Sequence, residues 1–223
     1  MLGPVLQATV FVLIFAILHA LGIKLPYAKL GAFIGLCSLT GCFHEDGLAD
    51  SFDSLGVPIW GNLEEARAKS LAAMRDSRLG SFGVSSLILL WLLRAGACMS
   101  NDCSWLGVTS VVLASRATSL YLGKVFLDRL GGTGISKSSF SLKEIPSWVA
   151  ILSFLASMFL AFMLVVSGLG VFWGLGVALG AAFFSFCFLW LLSCRLAGVN
   201  GDMMGGAACF CESCLLFLLV GFS

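Results

Sequence analysis

No aspartate, glutamate, lysine or arginine occurs between Glu144 and Arg195. An apolar stretch of about 20 residues suffices to cross a bilayer, and this one is long enough to cross twice. The segment "SGLG" at 167–170 supplies the punctuation for a split into two spans, because glycine marks turns. Only 11% of the chain is charged, where a soluble domain carries about 25%. Mean hydropathy is +1.02. So little polar surface cannot cover a water-facing exterior, and the backbone of a lipid-facing one must be satisfied internally.

The same reading along the chain predicts an all-α, polytopic integral membrane protein with about seven transmembrane helices. They fall near 2–22, 27–43, 81–99, 104–126, 147–167, 169–194 and 205–222. The first is read as a retained span, since no basic region precedes it and no small-residue cleavage site follows convincingly. No internal repeat or linker divides residues 1–223, so a single transmembrane catalytic domain is expected. The net charge of +1 gives no case for a nucleic-acid partner.

Seven of the nine cysteines lie in or beside apolar runs and read as small hydrophobes. Cys98 and Cys103 could pair across a short outer loop. Cys211 and Cys214 form a C-x-x-C without a second pair or a suitable histidine, which favours helix packing over metal.

Lysine and arginine orient the spans. Arg67, Lys69, Arg75, Arg78, Lys124, Arg129, Lys137, Lys143 and Arg195 gather on the side of the loops 44–80, 127–146 and 195–204. Lys24, Lys29 and Arg94 fall on the other, and Arg116 within a span. The first side is expected to be cytoplasmic, in the cell inner membrane. Most acids share it, so chemistry is expected there.

The densest acidic segment is "HEDGLADSFDS" at 44–54. Asp46, Asp50 and Asp53 stand at i, i+4 and i+7, on one face of a helix. Carboxylates so placed repel one another unless a cation sits among them. An all-oxygen set suits Mg²⁺ or Mn²⁺, particularly with substrate phosphates completing the shell. The alternative is a solvated acidic cap. Glu45 points elsewhere on the wheel and is a weaker candidate. His44 reads as a base, a ligand partner or an interfacial side chain, and taken alone such a histidine is more often interfacial.

Further on, "MRDSRLGSFG" at 74–83 brackets Asp76 with Arg75 and Arg78. Such arginines suit phosphate, or they anchor the cytoplasmic face. Asp76 is either a further metal ligand or an arginine's partner. Arg116, in "LASRATS", and Glu212 are ionisable groups inside spans; they pair with each other or line a polar cavity. Finally "GVNGDMMGGA" at 198–207 reads as a glycine-rich turn carrying Asp202.

Taken together these motifs resemble the cobalamin synthase family, the adenosylcobinamide-GDP ribazoletransferases. The family pattern H-x-D-G-x-x-D-x-x-D is met by His44, Asp46, Gly47, Asp50 and Asp53. A basic-D-S-R-x-G-x-F-G signature is met by Arg75, Asp76, Ser77, Arg78, Gly80, Phe82 and Gly83. A late G-D-x-x-G turn matches Gly201, Asp202 and Gly205, with a downstream acid at Glu212. The resemblance implies a Mg²⁺-dependent transfer. The phosphoryl group on adenosylcobinamide in adenosylcobinamide-GDP would move to a ribose hydroxyl of α-ribazole or its 5′-phosphate, releasing GMP. On that basis Asp46, Asp50, Asp53 and Asp76 are the expected metal ligands. His44, Asp46, Asp50 and Asp53 form the catalytic set. Arg75, Asp76, Arg78, Arg116, Asp202 and Glu212 form the substrate-binding set. Expected partners are the two substrates, membrane lipid and no nucleic acid, with a homo-oligomer left open. The alternatives are a CDP-alcohol phosphotransferase-like enzyme and a cation transporter. Against the first, Asp50 stands where that class needs Arg after Ala49. A transporter should carry acids mid-span in several helices.

Overall fold

The computed structural model describes residues 3–100, 103–133 and 144–221. Among these the chain forms α1 Gly3–Ala20, α2 Leu25–Leu39, α3 Phe43–Gly56, α4 Leu63–Ala73 and α5 Ser81–Met99. These are followed by α6 Trp105–Leu130, α7 Ser147–Leu169, α8 Val171–Leu196 and α9 Gly201–Gly221. The one β-bridge among the described residues joins Gly132 to Val199, tying the chain after α6 to the α8–α9 turn. Asp102, Gly134, Lys137 and Lys143 lie outside the described residues.

Each of the seven expected spans has its helix: α1, α2, α5, α6, α7, α8 and α9. Five of them (α1, α5, α7, α8 and α9) are individually long and apolar enough to cross a bilayer. Their outer faces are studded with exposed apolar residues such as Leu13, Leu92, Phe159 and Phe183, which suits lipid contact. Gly170, at φ +95°, separates α7 from α8. A left-handed residue there costs glycine nothing and ends the first helix sharply.

The other two differ for physical reasons. α2 has 15 residues, about 22 Å of helix against an apolar core of about 30 Å. It passes the length and hydropathy test only together with α3, across a bend of 82°. Gly41 and Cys42 make that corner with φ of +65° and +59°. Their amides donate to Ser38 and Cys37 carbonyls at 3.2 and 2.9 Å, so the end of α2 is capped as it turns. The 26-residue α6 is long enough but more polar. It is the axis of the bundle, packed by α1, α7, α8 and α9, and every residue from Gly107 to Ser119 is buried. Its hydroxyls are satisfied locally: Ser110 and Thr118 donate to the Gly107 and Ala114 carbonyls, each at 2.6 Å. Ser119 meets Ser185 of α8 at 3.0 Å.

At one end of the bundle, Phe11 packs edge-on against Phe33 at 4.9 Å and Phe15 stacks on Trp105 at 5.6 Å. Lys29, assigned from sequence to an outer loop, is buried in α2, where its ammonium donates to Cys103 O at 2.8 Å and secures the α5–α6 connection. Cys98 and Cys103 are both buried free thiols, so the outer-loop pairing is not formed. Cys211 is likewise a buried free thiol, facing Ala181 O at 3.6 Å.

α3 crosses α9 at backbone contact. A Cβ on Gly47 would stand 2.3 Å from Asp202 O, and one on Gly206 would stand 2.7 Å from Gly47 O. The stretch expected to be a glycine-rich turn is therefore mostly the first two turns of α9, begun by Asn200, whose Oδ1 accepts from the Met203 amide at 2.9 Å. Its glycines serve helix packing. Gly47→Ala should accordingly cost about 1–3 kcal/mol of stability through overpacking. Gly176→Ala, with nothing within 4 Å, should leave stability unchanged or slightly raised. Thermal unfolding of the two variants in detergent micelles checks the contrast.

Candidate functional site

Three stripes of α3 face three different surroundings. Gly47, Ser51 and Ser54 are buried, Gly47 and Ser51 against Gly206 of α9. Glu45 and Leu48 are buried toward the bundle. The third stripe carries the predicted carboxylates. Asp46 and Asp50 line a cleft of about 600 Å³ closed by Arg75, Asp76, Ser77 and Leu79 from the α4–α5 connection and by Leu87 and Trp91 of α5. Asp202, in the first turn of α9, approaches the same acids, since Gly47 touches its backbone. Burial, and then the charges of Asp46, Asp202 and Asp53, push the Asp50 carboxyl up to about 7.

The third predicted member of the stripe has another task. Asp53 Oδ2 accepts from the Gly80 amide and Oδ1 from the Gly83 amide, both at 2.8 Å. These are the N-cap and third residues of α5, whose first amides have no partner inside the helix. A Cβ on either glycine would lie 2.4 Å from an Asp53 carboxylate oxygen. Both glycines of the R-D-S-R-x-G-x-F-G signature are thus required by one carboxylate from another helix. Asp53 clamps α5 to α3, and its charge also suits the helix N-terminus. Both of its carboxylate oxygens are engaged in this clamp.

Asp76 likewise has a partner. Its Oδ1 accepts from the Arg78 amide and Nε, both at 3.0 Å, and its Oδ2 from Arg78 Nη2 at 2.7 Å. The Arg78 guanidinium holds the Asp76 carboxyl down at about 2. Of the two open readings from sequence, the arginine partner is the one formed. Arg75 and Asp76 reach the cleft, whereas Arg78, 87% exposed, points to solvent.

Arg116 and Glu212, expected to bind substrate, lie beneath the cleft and do not line it. Glu212 Oε2 accepts from Arg116 at 3.1 Å and its Oε1 from Arg94 Nε at 2.7 Å. Arg94 Nη2 reaches Glu45 Oε1 at 2.9 Å. All four side chains are at most 7% exposed. The Arg94 guanidinium also lies 4.9 Å from the Phe33 ring centroid and 4.8 Å from that of Trp91. Sequence reasoning placed Arg94 among the outer-loop cations and ranked Glu45 low. The rule that singled out Arg116, a lone cation in an apolar run, applies equally to Arg94 within 81–99.

His44 shares this environment. Burial, and then Arg116, push its imidazole down to about 3, so it is neutral across the physiological range. Its Nδ1 has no hydrogen-bond partner.

Around the cleft, α4 is fixed by Arg195 of α8. That side chain donates to Val57 O and, at 3.2 Å, to Ser70 Oγ. Among the described residues no three His, Cys, Asp or Glu side chains are gathered closely enough to hold a metal ion as they stand. The donor chemistry nevertheless fits a hard divalent cation: oxygens only, with Asp50 disfavoured as an anion by its acidic neighbours. Among the described residues near the cleft, Asp46, Asp50 and Asp202 are the acids with neither a salt bridge nor an amide clamp.

Asp53→Ala should free the first turn of α5. Hydrogen exchange at the Gly80 and Gly83 amides should rise about fivefold, matching the roughly 1 kcal/mol value of a lost cap. Gly83→Ala should produce the same local loosening by displacing the carboxylate. Exchange mass spectrometry of the 74–90 segment reads both.

Comparison with known proteins follows the same lines. A family described as cobalamin-5-phosphate synthase matches residues 2–220. A protein of Azorhizobium caulinodans named adenosylcobinamide-GDP ribazoletransferase is 32% identical over 204 residues, covering 89% of this chain and 73% of its own. Proteins of that name from Albidiferax ferrireducens and Rhizobium etli are each 31% identical, over 95% and 94% of this chain and 79% and 80% of theirs. No solved structure matches. With a match that runs nearly end to end, the chain belongs to the cobalamin-5-phosphate synthase family.

Proposed function

We propose that this protein is a Mg²⁺-dependent membrane transferase of the last steps of cobalamin biosynthesis. It joins adenosylcobinamide-GDP to α-ribazole or α-ribazole 5′-phosphate, giving adenosylcobalamin or its 5′-phosphate and GMP. Family membership and the shared name of its relatives support the substrates. The observation that carries the chemistry is the cleft in which Asp46 and Asp50 face Arg75.

Asp46, Asp50 and Asp202 would hold the cation. When bound, it would neutralise diphosphate charge and favour departure of GMP. Arg75 binds and orients the phosphates from the α4–α5 connection. The ribose hydroxyl oxygen bonds to the phosphorus attached to adenosylcobinamide, the bond from that phosphorus to the bridging oxygen breaks, and GMP leaves. A carboxylate of the cluster accepts the hydroxyl proton. His44, held near about 3, is a weaker acceptor. Asp53 and Asp76 contribute by fixing α5 and the arginine-bearing connection. Arg116 and Glu212 contribute from below, through the buried network.

The basic residues beside the cleft, among them Arg67, Lys69, Arg75 and Arg78, support a cytoplasmic site in the inner membrane. The transporter alternative loses its only mid-span acid, because Glu212 is neutralised by two arginines.

The test is GMP release by purified protein in liposomes given adenosylcobinamide-GDP, α-ribazole and Mg²⁺. Asp46→Ala and Asp50→Ala should each lower the rate about 100-fold or more, the scale of lost charge stabilisation, and chelation should abolish it. Turnover of a CDP-alcohol without GMP release, or metal flux with neither reaction, would replace this reading.

A further inference from the structure

The stripe of α3 that carries Asp46 and Asp50 is set about 100° around the helix from its neighbour Glu45. Glu45 borders the same cleft on its buried side, and there Arg94 holds its Oε1 at 2.9 Å. Arg94 is itself immobilised on four sides. Glu212 of α9 takes its Nε at 2.7 Å. The rings of Phe33 from α2 and Trp91 from its own helix flank the guanidinium at 4.9 and 4.8 Å. Arg116 of α6 takes the other oxygen of Glu212 at 3.1 Å, so that carboxylate cannot swing away. The side chain is 1% exposed.

α3 needs such a fixture. It begins at a corner made of two left-handed residues, Gly41 and Cys42. Its contact with α9 runs over Gly47 and Gly206, which permit close approach, and a turn further on Phe52 meets the Phe210 ring at 6.5 Å. Asp53 ties its far end to α5. Near the first turn, beside Asp46, the Glu45–Arg94 ion pair joins α3 to α5.

We propose that Arg94 is a positioning residue for the carboxylate cleft: by gripping Glu45 from within the bundle it fixes the rotation of α3, and so aims Asp46 and Asp50 at the cation and phosphates. Its catalytic consequence rests on the transferase reading above, whereas its structural consequence does not. A bidentate fork is required, because Arg94 bonds two carboxylates on two helices at once. Removing it strands Glu45 as a buried, unpaired anion, the costly half of a broken pair. Neutralising both partners removes that conflict.

The experiment compares wild type, Arg94→Met, Arg94→Lys, Glu45→Gln and the double variant Glu45→Gln/Arg94→Met in detergent micelles. Hydrogen exchange across 43–56 reads the setting of α3, with α7 as internal reference, and GMP release against Mg²⁺ reads the cleft. Arg94→Met should speed exchange in α3 about tenfold while α7 stays unchanged, as for a local opening. It should raise the Mg²⁺ concentration for half-maximal GMP release about tenfold. Arg94→Lys should fall between it and wild type, and Glu45→Gln should shift both readouts in the same direction by less. The double variant strands neither partner, yet it still lacks the grip on α3, so it should keep most of both losses. Should Arg94→Met fail to fold, the double variant carries both readouts in its place. Equal acceleration in α3 and α7 would reduce Arg94 to a general stabiliser and overturn the proposal, as would unchanged exchange in α3 or a double variant that behaves as wild type. If wild type releases no GMP, the transferase reading fails, and exchange in α3 still decides the role of Arg94.

Discussion

Four charges inside a membrane bundle hold this architecture together. Arg94, Arg116, Glu45 and Glu212 come from α5, α6, α3 and α9, and they sum to zero. Each alone would be prohibitive away from water, and breaking one pair costs about 3–5 kcal/mol, although a complete network contributes little net stability. Its value is specificity. Any arrangement that slides α3, α5, α6 or α9 relative to the others leaves a charge uncompensated. Apolar packing cannot supply that discrimination, because lipid tails are as apolar as leucine. The network therefore registers the site-bearing helices against one another, while α1, α7 and much of α8 provide an apolar jacket.

From that registration the division of labour within α3 follows. A helix of 14 residues has one buried stripe touching α9 at glycines, one anchored to Arg94 and one opening into the cleft. At its far end it supplies the two acceptors that the first amides of α5 lack. The α4–α5 connection is in turn folded on itself by Asp76 and Arg78. Arg75 is thus carried by a segment braced at both ends, which is what placing a cation over a phosphate requires.

Much of this was legible in the sequence. Apolar runs found the spans because length and hydropathy are their cause, and Gly170 divided α7 from α8 where the glycine-rich interruption stood. The periodicity of Asp46, Asp50 and Asp53 correctly gave one face of one helix. What periodicity could not give is what that face meets. Asp53 faces amides of α5 that are distant in sequence, so its clamp is visible only once Gly80 and Gly83 are seen to have no room for a Cβ. Arg94 was misplaced because a charge-count rule for loops was applied near the end of a span, although the chain continues as helix to Met99. Arg116 and Glu212 were recognised as anomalies. Their resolution as an ion pair needed the two missed partners. The glycines after Asn200 read as a turn by composition and are helix by tertiary contact, since α3 lies against them.

So many acids in so apolar a chain are accounted for by sorting them. Glu45 and Glu212 are neutralised by arginines inside the bundle. Asp53 is neutralised by helix amides, and Asp76 by Arg78. Asp46, Asp50 and Asp202 have no such counterpart. Asp46 and Asp50 line the cleft, and burial with the charges of Asp46, Asp202 and Asp53 pushes the Asp50 carboxyl up to about 7. A proton on Asp50 relieves that repulsion near neutral pH. In the transferase reading proposed above, a divalent cation would do the same, standing where a diphosphate could reach it.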